Sequence, residues 1–491
     1  VSIAAEGNAL ELASTPTIDQ LRATTARTIL QAAGRFVGLP LGFSGNSEVG
    51  HETIGAGRTV WQPLGRIYAA IESGEFAQNT AILNRLQPGQ PVHLIGLVSD
   101  GGVHSHLDHL PALLELAQKR AVGQICIHAI TDGRDTDGHS AAQYLTQIEK
   151  RIAELGLQDQ AKIVSISGRE SAMDRDRNWQ RTERFYRVLE RTSATIKSYP
   201  DWQTALTENY AAGRDDEKIE PGAIGEAAAI TANSQIIIWN YRSDRSKQLA
   251  DALTQPKFAE FARSVICPNL TVFGPYSELA EIAFQPEPAA NHLTEWLNKK
   301  GVKIAKIAET EKYKHVTKFF NNQEDTEFPN ETRTLVPSKK VNYAEVPTMS
   351  ASEVTEQVLA ALQADFGLIV VNYANPDMVG HTGDLTAAIQ AMEIVDQELA
   401  TILAAAQAQN CAVIVTADHG NAERMRSPAT GEPWKSHTDN PVECFILDST
   451  GSAINLRTSA KPGLADLAPT ILALLGIEQP AEMTGQSLLA R

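Results

Sequence analysis

VHLIGLVSDGGVHSH, residues 92–106, decides how this sequence folds. Its first seven residues form a continuous apolar run, bounded by Pro91 and by the Ser99-Asp100-Gly101-Gly102 turn. Such a run is too short for a buried helix, and it lacks the alternation of a strand with one wet face, so it reads as a strand buried on both faces. Five other runs have the same character: QICIHAI (124–130), KIVSI (162–166), QIIIW (235–239), FGLIVVN (366–372) and AVIVT (412–416). Helical patterns fall between them, as at 110–119 and 352–363. The class is therefore α/β with largely parallel sheets. Four of the runs lead straight into clusters of polar, chemically able residues: SDGGVHSH, TDGRD (131–135), NPDMVGH (375–381) and DHGN (418–421). Ligands of open α/β sheets sit beyond the carboxyl ends of strands, which is where each cluster falls. Asp, Gly and Asn also end strands and cap helices, a reading that accounts for one such cluster more easily than for four rich in His and Asp.

Composition narrows the partners. The 491 residues carry 43 Lys and Arg against 59 Asp and Glu, a formal charge of −16. That balance, with no long basic run, argues against nucleic acid and against an anionic membrane surface. A hydrophobic fraction of 43% suits globular cores, and no apolar run approaches the ~20 residues that span a bilayer. The first residues do not resemble a secretory leader. Cys126, Cys267, Cys411 and Cys444 are far apart, without a CxxC pair, and read as reduced thiols of a cytoplasmic protein.

Three constellations carry chemistry. Asp377 and His381 stand four apart, so the first turn of a helix would project both to one side. With Asp418, His419 and His437 they supply oxygen and imidazole ligands suited to a borderline divalent ion such as Mn²⁺ or Zn²⁺. GNSEVGH (45–51) places Ser47 between glycines, where it reads either as a nucleophile needing activation or as part of a helix cap. Arg134, Arg169 with Arg175, and Arg242 with Arg245 lie in tight local sets close behind strand-like runs. Each set also holds Asp, so surface ion pairing competes with the reading that the middle third grips a small anion.

Eight motifs, in order along nearly the whole chain, resemble those of the cofactor-independent phosphoglycerate mutases of the alkaline phosphatase superfamily. They are GNSEVGH at 45, SDGGVHSH at 99, HAITDGRDT at 128, SGRxxAMDRDxxWxR at 167, NYRSDR at 240, ETEKYKHVT at 309, NPDMVGHTG at 375 and TADHGNAE at 416. The resemblance implies an alkaline-phosphatase-like parallel-sheet domain, residues 1–62 plus 288–491, with an α/β transferase domain, 63–287, inserted in it. It implies interconversion of 3-phosphoglycerate and 2-phosphoglycerate through a phosphoserine at Ser47, with two Mn²⁺ or similar ions and no bisphosphoglycerate. Asp377, His381 and His437 would hold one ion, and Ser47, Asp418 and His419 contribute to the other. His104, Arg134, Asp135, Arg169, Arg175, Arg242, Arg245 and Lys312 would bind substrate. Asp135 would shuttle a proton between glycerate hydroxyls, and Lys312 would stabilise the transferring phosphoryl group. A monomer that closes to exclude water is the expected form. A phosphomonoesterase of the same superfamily, and a non-catalytic binding protein, are the alternatives.

The chain departs from the family at its start. Members begin with an apolar strand ending in an Asp-Gly turn whose Asp holds the second metal, whereas Gly7-Asn8-Ala9 already resembles the loop after that strand. No Asp precedes Asp19, which sits in the helix-start pattern TPTID (15–19), and Glu6 is no evident substitute. The expectation is a late-starting chain, one buried parallel strand and one metal carboxylate short. Phe43-Ser44 and Asn321-Asn322-Gln323 also differ from the family's usual residues, away from any proposed ligand.

Overall fold

The structure is a computed structural model that describes residues 6–191, 196–226, 228–286, 290–448, 454–458 and 461–490. The first five residues, where the sequence departs from the family, therefore lie outside the described residues, as does the expected junction between 287 and 288. The chain forms two compact units, Val1–Gln62 with Glu287–Arg491, and Pro63–Pro286.

In the first unit, Pro16 opens the helix Pro16–Thr24, which leads to β1 (Ala26–Leu30). Asp19 keeps the first-turn role expected of it and pairs with Arg22 at 3.2 Å. The orphan amides of that turn are capped from a distance: Asp396 accepts from Thr17 N at 3.0 Å and Ile18 N at 2.8 Å. After β1 comes the helix Ser47–Ala56. Its cap is Asn46, which accepts from Glu48 N and Val49 N, so Ser47 stands at the first helical position with its hydroxyl uncommitted to capping. Gly50 lets this helix approach the loop after β13 (Val413–Thr416), since a Cβ there would lie 2.5 Å from Asp418 O.

The second unit is built on one eight-stranded sheet. In chain order its strands are β2 (Val92–Leu97), β3 (Ile125–Thr131), β4 (Ala161–Gly168), β5 (Lys197–Tyr199), β6 (Gly222–Ile224), β7 (Gln235–Ile238), β8 (Leu270–Val272) and β9 (Glu281–Ile282). Their spatial order is β5-β6-β4-β3-β2-β7-β8-β9, parallel throughout except between β4 and β6. Every residue of β2 and β3 is buried, as continuous apolar runs require. The registers Ile95↔Ile238, Leu97↔Ile130 and Thr131↔Gly168 end the four central strands, β7, β2, β3 and β4, at one edge of the sheet. That edge carries Ser99 to His106, Asp132 to Asp135, Arg169, and Asn240 to Arg245.

Back in the first unit, β10 (Ile304–Glu309), β11 (Glu331–Val336) and β12 (Leu368–Asn372) form a parallel sheet in the order β11-β10-β12. Lys312 follows β10 in the short helix Thr310–Lys314, and Asp377 follows β12 in the helix Asn375–Gly380. A second sheet, β1-β14-β13, is antiparallel at both pairings, with β14 spanning Val442–Leu447. The antiparallel pairings sit within an α/β class whose sheets are largely parallel, as expected. The sequence reading is corrected on one point: β12 and β13, read as buried on both faces, are half-buried at every position. Among the described residues each pairs on one side only, β12 with β10 and β13 with β14, so each is an edge strand. Cys126, Cys267 and Cys444 are buried and all four cysteines are free. Among the described residues no helix is long and apolar enough to cross a membrane.

Candidate functional site

In the first unit the ends of β10, β12 and β13 bring their clusters together around Ser47. Asp377, His381 and His437 form a group whose ligand atoms lie within 4.8 Å of one another. Asp377 Oδ1 is 3.3 Å from His381 Nε2 and 3.1 Å from His437 Nε2, and the two Nε2 atoms are 3.0 Å apart. The tautomers follow from the far side of each ring. His381 Nδ1 faces the Lys435 carbonyl at 2.7 Å and His437 Nδ1 faces the Gly45 carbonyl at 3.0 Å, so both Nδ1 atoms carry protons. Each Nε2 then points a lone pair, or a second proton, at a carboxylate and at the other ring. Three acceptors in that convergence need a cation among them. Without a metal a proton fills that role, and the Asp377 carboxylate raises the pKa of His381. Burial works to raise Asp377 itself, but His381, His437 and Lys312 hold it far below the carboxylate range. A divalent ion would replace that proton, so the donor set fits one.

Ser47 is buried beside this group. Its Oγ lies 2.9 Å from His419 Nε2 and accepts from Lys312 Nζ at 2.6 Å, while Lys312 also donates to Asp377 Oδ2. His419 Nδ1 faces the Gly420 carbonyl at 3.3 Å, which leaves Nε2 as an acceptor for the serine proton. Asp418 lies 3.5 Å from His419 Nε2, and its carboxyl is held well down by His419 and His51 against the upward pull of burial. The serine oxygen is thus held between a cationic donor and a base, at the positive end of the helix Ser47–Ala56.

The second unit gathers cations instead. Arg169, 1% exposed, reaches both Asp132 Oδ1 and Asp135 Oδ2 at 2.6 Å from one guanidinium nitrogen. His104 Nε2 lies 3.8 Å from Asp135, and its Nδ1 lies 3.7 Å from Asp244. Asp244 also takes Arg175 at 2.7 Å and Arg242 at 3.1 Å. Burial and the charge of Arg169 push His104 down to about 4. Arg245 is buried and donates to Met173 O at 3.3 Å, and burial with the fields of Arg169, Arg175 and Arg134 lowers its pKa. Arg134 is half-exposed, and the partner of its guanidinium is Glu217 at 3.4 Å. Seven of the expected anion-binding residues thus share this unit, and Lys312 stands with Ser47 in the other.

Several organising residues escaped the sequence reading although they lie inside its motifs. Asp132, 2% exposed, accepts from Arg169, from Ser99 Oγ at 2.6 Å and from the amides of Arg134 and Asp135. Asp244 ties His104 to two arginines, as above. Asn421 donates to Asp377 Oδ1 at 2.7 Å. His51 Nδ1 lies 2.9 Å from Ser47 O and 3.2 Å from Asp418 Oδ2. The signal available was position: each lies within a few residues of a candidate, although the one that Asn421 orients, Asp377, is 44 residues away.

The model of the metalloenzyme superfamily matches residues 2–479. The 2,3-bisphosphoglycerate-independent phosphoglycerate mutase of Synechocystis sp. is 45% identical, covering 98% of this chain and 92% of its own. That of Moorella thermoacetica is 44% identical, over 99% of this chain and 95% of its own. The chain belongs to the 2,3-bisphosphoglycerate-independent phosphoglycerate mutase family. A crystal structure of Leishmania mexicana phosphoglycerate mutase at low cobalt concentration matches 98% of this chain and 94% of its own, at a TM-score of 0.58 and 31% identity. Family membership makes the protein an isomerase of class EC 5.4.2.12 that depends on a divalent metal and acts on a small molecule.

Proposed function

We propose that this chain interconverts 3-phosphoglycerate and 2-phosphoglycerate by way of a phosphoserine at Ser47, without bisphosphoglycerate. The observation that carries the reading is Ser47 Oγ between Lys312 Nζ and His419 Nε2, beside the Asp377, His381 and His437 ligand group. Asp377, His381 and His437 would hold one Mn²⁺, and Asp418, His419 and Ser47 would contribute to a second; bound there, the ions lower the serine pKa and offset phosphoryl charge. Ser47 Oγ attacks the phosphorus of 3-phosphoglycerate, and the bond from phosphorus to the C3 oxygen breaks. With His419 Nε2 committed to the second ion, the serine proton would leave to solvent as the ions bind, so that Ser47 would enter the transfer as the alkoxide and return to it at the end. Lys312 is suited to share the negative charge of the transferring group. The leaving C3 oxygen takes a proton from Asp135, and the resulting carboxylate then takes one from the C2 hydroxyl as that oxygen attacks the phosphoserine. Asp135 ends as it began, which balances the cycle. Arg134, Arg169, Arg175, Arg242, Arg245 and His104 supply the charge and donors that keep glycerate from leaving between the two transfers.

The same reading makes the first unit a phosphatase-like nucleophile and metal domain and the second a transferase domain, in a monomeric enzyme of cytoplasmic glycolysis. A coupled assay from 3-phosphoglycerate to 2-phosphoglycerate, without bisphosphoglycerate and with or without Mn²⁺, tests it. Mn²⁺-dependent turnover is expected. Sustained release of inorganic phosphate with no 2-phosphoglycerate would make the protein a phosphomonoesterase instead.

A further inference from the structure

Behind the metal group lies a buried carboxylate to which none of the roles above extends. Glu423 is 6% exposed and has no Lys, Arg or His partner among the described residues. Its partners are neutral donors from two loops. Oε2 accepts from Asn421 N at 2.7 Å, in the loop after β13. Oε1 accepts from Thr438 Oγ1 and from Asn440 Nδ2, the latter at 2.8 Å, in the loop that presents His437. The loops also touch directly, Thr438 N donating to Gly420 O at 3.0 Å. Gly420 is required by the same packing, since a Cβ there would lie 2.3 Å from Thr438 Oγ1 and 2.6 Å from Glu423 Oε1. Each end of the clamp is one residue from a ligand contact: Asn421 holds Asp377 Oδ1, and Thr438 follows His437.

Burying a carboxylate with no cation opposite costs several kcal/mol unless hydrogen bonds offset it. Glutamine would fill the same volume without that charge. It would, however, turn an NH₂ toward Thr438 Oγ1 and Asn440, which would have to reverse from donor to acceptor, whereas a carboxylate accepts from all three groups as they stand. The carboxylate also adds negative charge behind a group whose donors suit a cation. We propose that Glu423 is a positioning residue of the metal centre, clamping the 418–421 loop to the 437–440 loop so that Asp377 and His437 keep ligand geometry. The inference rests on the reading of Asp377, His381 and His437 as metal ligands.

The test is Mn²⁺ titration of the metal-stripped full chain, followed by the electron paramagnetic resonance signal of free Mn²⁺, with thermal unfolding of the stripped protein alongside. Glu423→Gln is expected to weaken Mn²⁺ binding by about 10- to 100-fold, the range for a lost outer-shell partner. Thr438→Val, which removes one donor at constant volume, is expected to weaken it several-fold. The double variant should bind no worse than Glu423→Gln, because both act through one clamp. Asp377→Asn serves as the reference. If it leaves Mn²⁺ binding intact, the metal reading fails and takes the inference with it. If it weakens binding while Glu423→Gln and Thr438→Val bind as the parent does, the positioning role alone is overturned. Lower melting temperatures at unchanged Mn²⁺ affinity overturn it equally. Should Glu423→Gln not fold, Thr438→Val decides by the same criterion.

Discussion

The two units gather opposite kinds of side chain at the ends of their strands. In the first, one carboxylate and two imidazoles converge within 4.8 Å, with Lys312 the ammonium beside them. In the second, Arg169, Arg175 and Arg242 converge on Asp132, Asp135 and Asp244, which balance part of their charge from within the chain. One constellation offers ligands suited to a divalent cation and the other is organised for an anion. The overall charge of −16 predicts neither, because a site responds to the few groups within a Debye length, about 8 to 10 Å, and not to the distant surface.

Removing the nucleophile breaks the contrast most completely. Ser47→Ala should lower mutase turnover by on the order of 10⁴-fold or more, since it removes the oxygen proposed to accept the phosphoryl group. Labelling with ³²P-phosphoglycerate should find no phosphoserine, and appreciable residual turnover would refute the covalent route. The arginine side is probed at Arg169. Arg169→Leu leaves the carboxylate of Asp132 buried and unpaired, so urea unfolding should show a loss of about 3 to 5 kcal/mol. Arg169→Lys keeps the charge but loses the guanidinium nitrogens not already spent on Asp132 and Asp135, and should raise KM for 3-phosphoglycerate by roughly tenfold with a smaller loss of stability. If Arg169→Lys lowers kcat alone, the residue serves the chemistry and not the grip.

Acid should act one histidine at a time, through rings that the second unit buries in neutral form, each with a smaller effect than Arg169→Leu. Burial pushes His93 and His104 down to about 4 and His109 to about 3, with Arg191 adding at His93, Arg169 at His104 and His106 at His109. Their folded pKa values lie below the unfolded value of about 6.5, so the unfolded chain binds the proton first. The stability they contribute is whole above that value and is lost as pH falls from about 6.5 toward 4. Between pH 7 and pH 5 the loss is about 2 kcal/mol for each such histidine. Hydrogen exchange of the β2 and β3 amides, compared at those two pH values, should show it. His109→Leu should remove its share, and unchanged protection would mean that these rings already take a proton in the folded state.

Reading strand ends recovered most of the candidate site, because an apolar run that stops at Asp, Gly or His is a local property. Ser47 illustrates the limit. The motif admitted a nucleophile or a cap, and the structure gives the cap to Asn46, which leaves the Ser47 hydroxyl free of that role. The half-burial of β12 and β13 was beyond reach for a different reason: run composition reports what a strand can bury, while pairing on one side or two depends on segments hundreds of residues apart. Asp396, which caps a helix 378 residues away, is illegible for the same reason.

The sequence by itself determined the α/β class, the ends of the strands, and which residue types stand there, since hydrophobic periodicity and turn chemistry act over a few residues. Only the tertiary structure decided who meets whom. The two Nδ1 protons that leave His381 and His437 open to a cation depend on carbonyls of Lys435 and Gly45, and Arg169 depends on strand register to reach Asp132. Hydrogen bonds are set by fractions of an ångström across chain separations that no local pattern encodes.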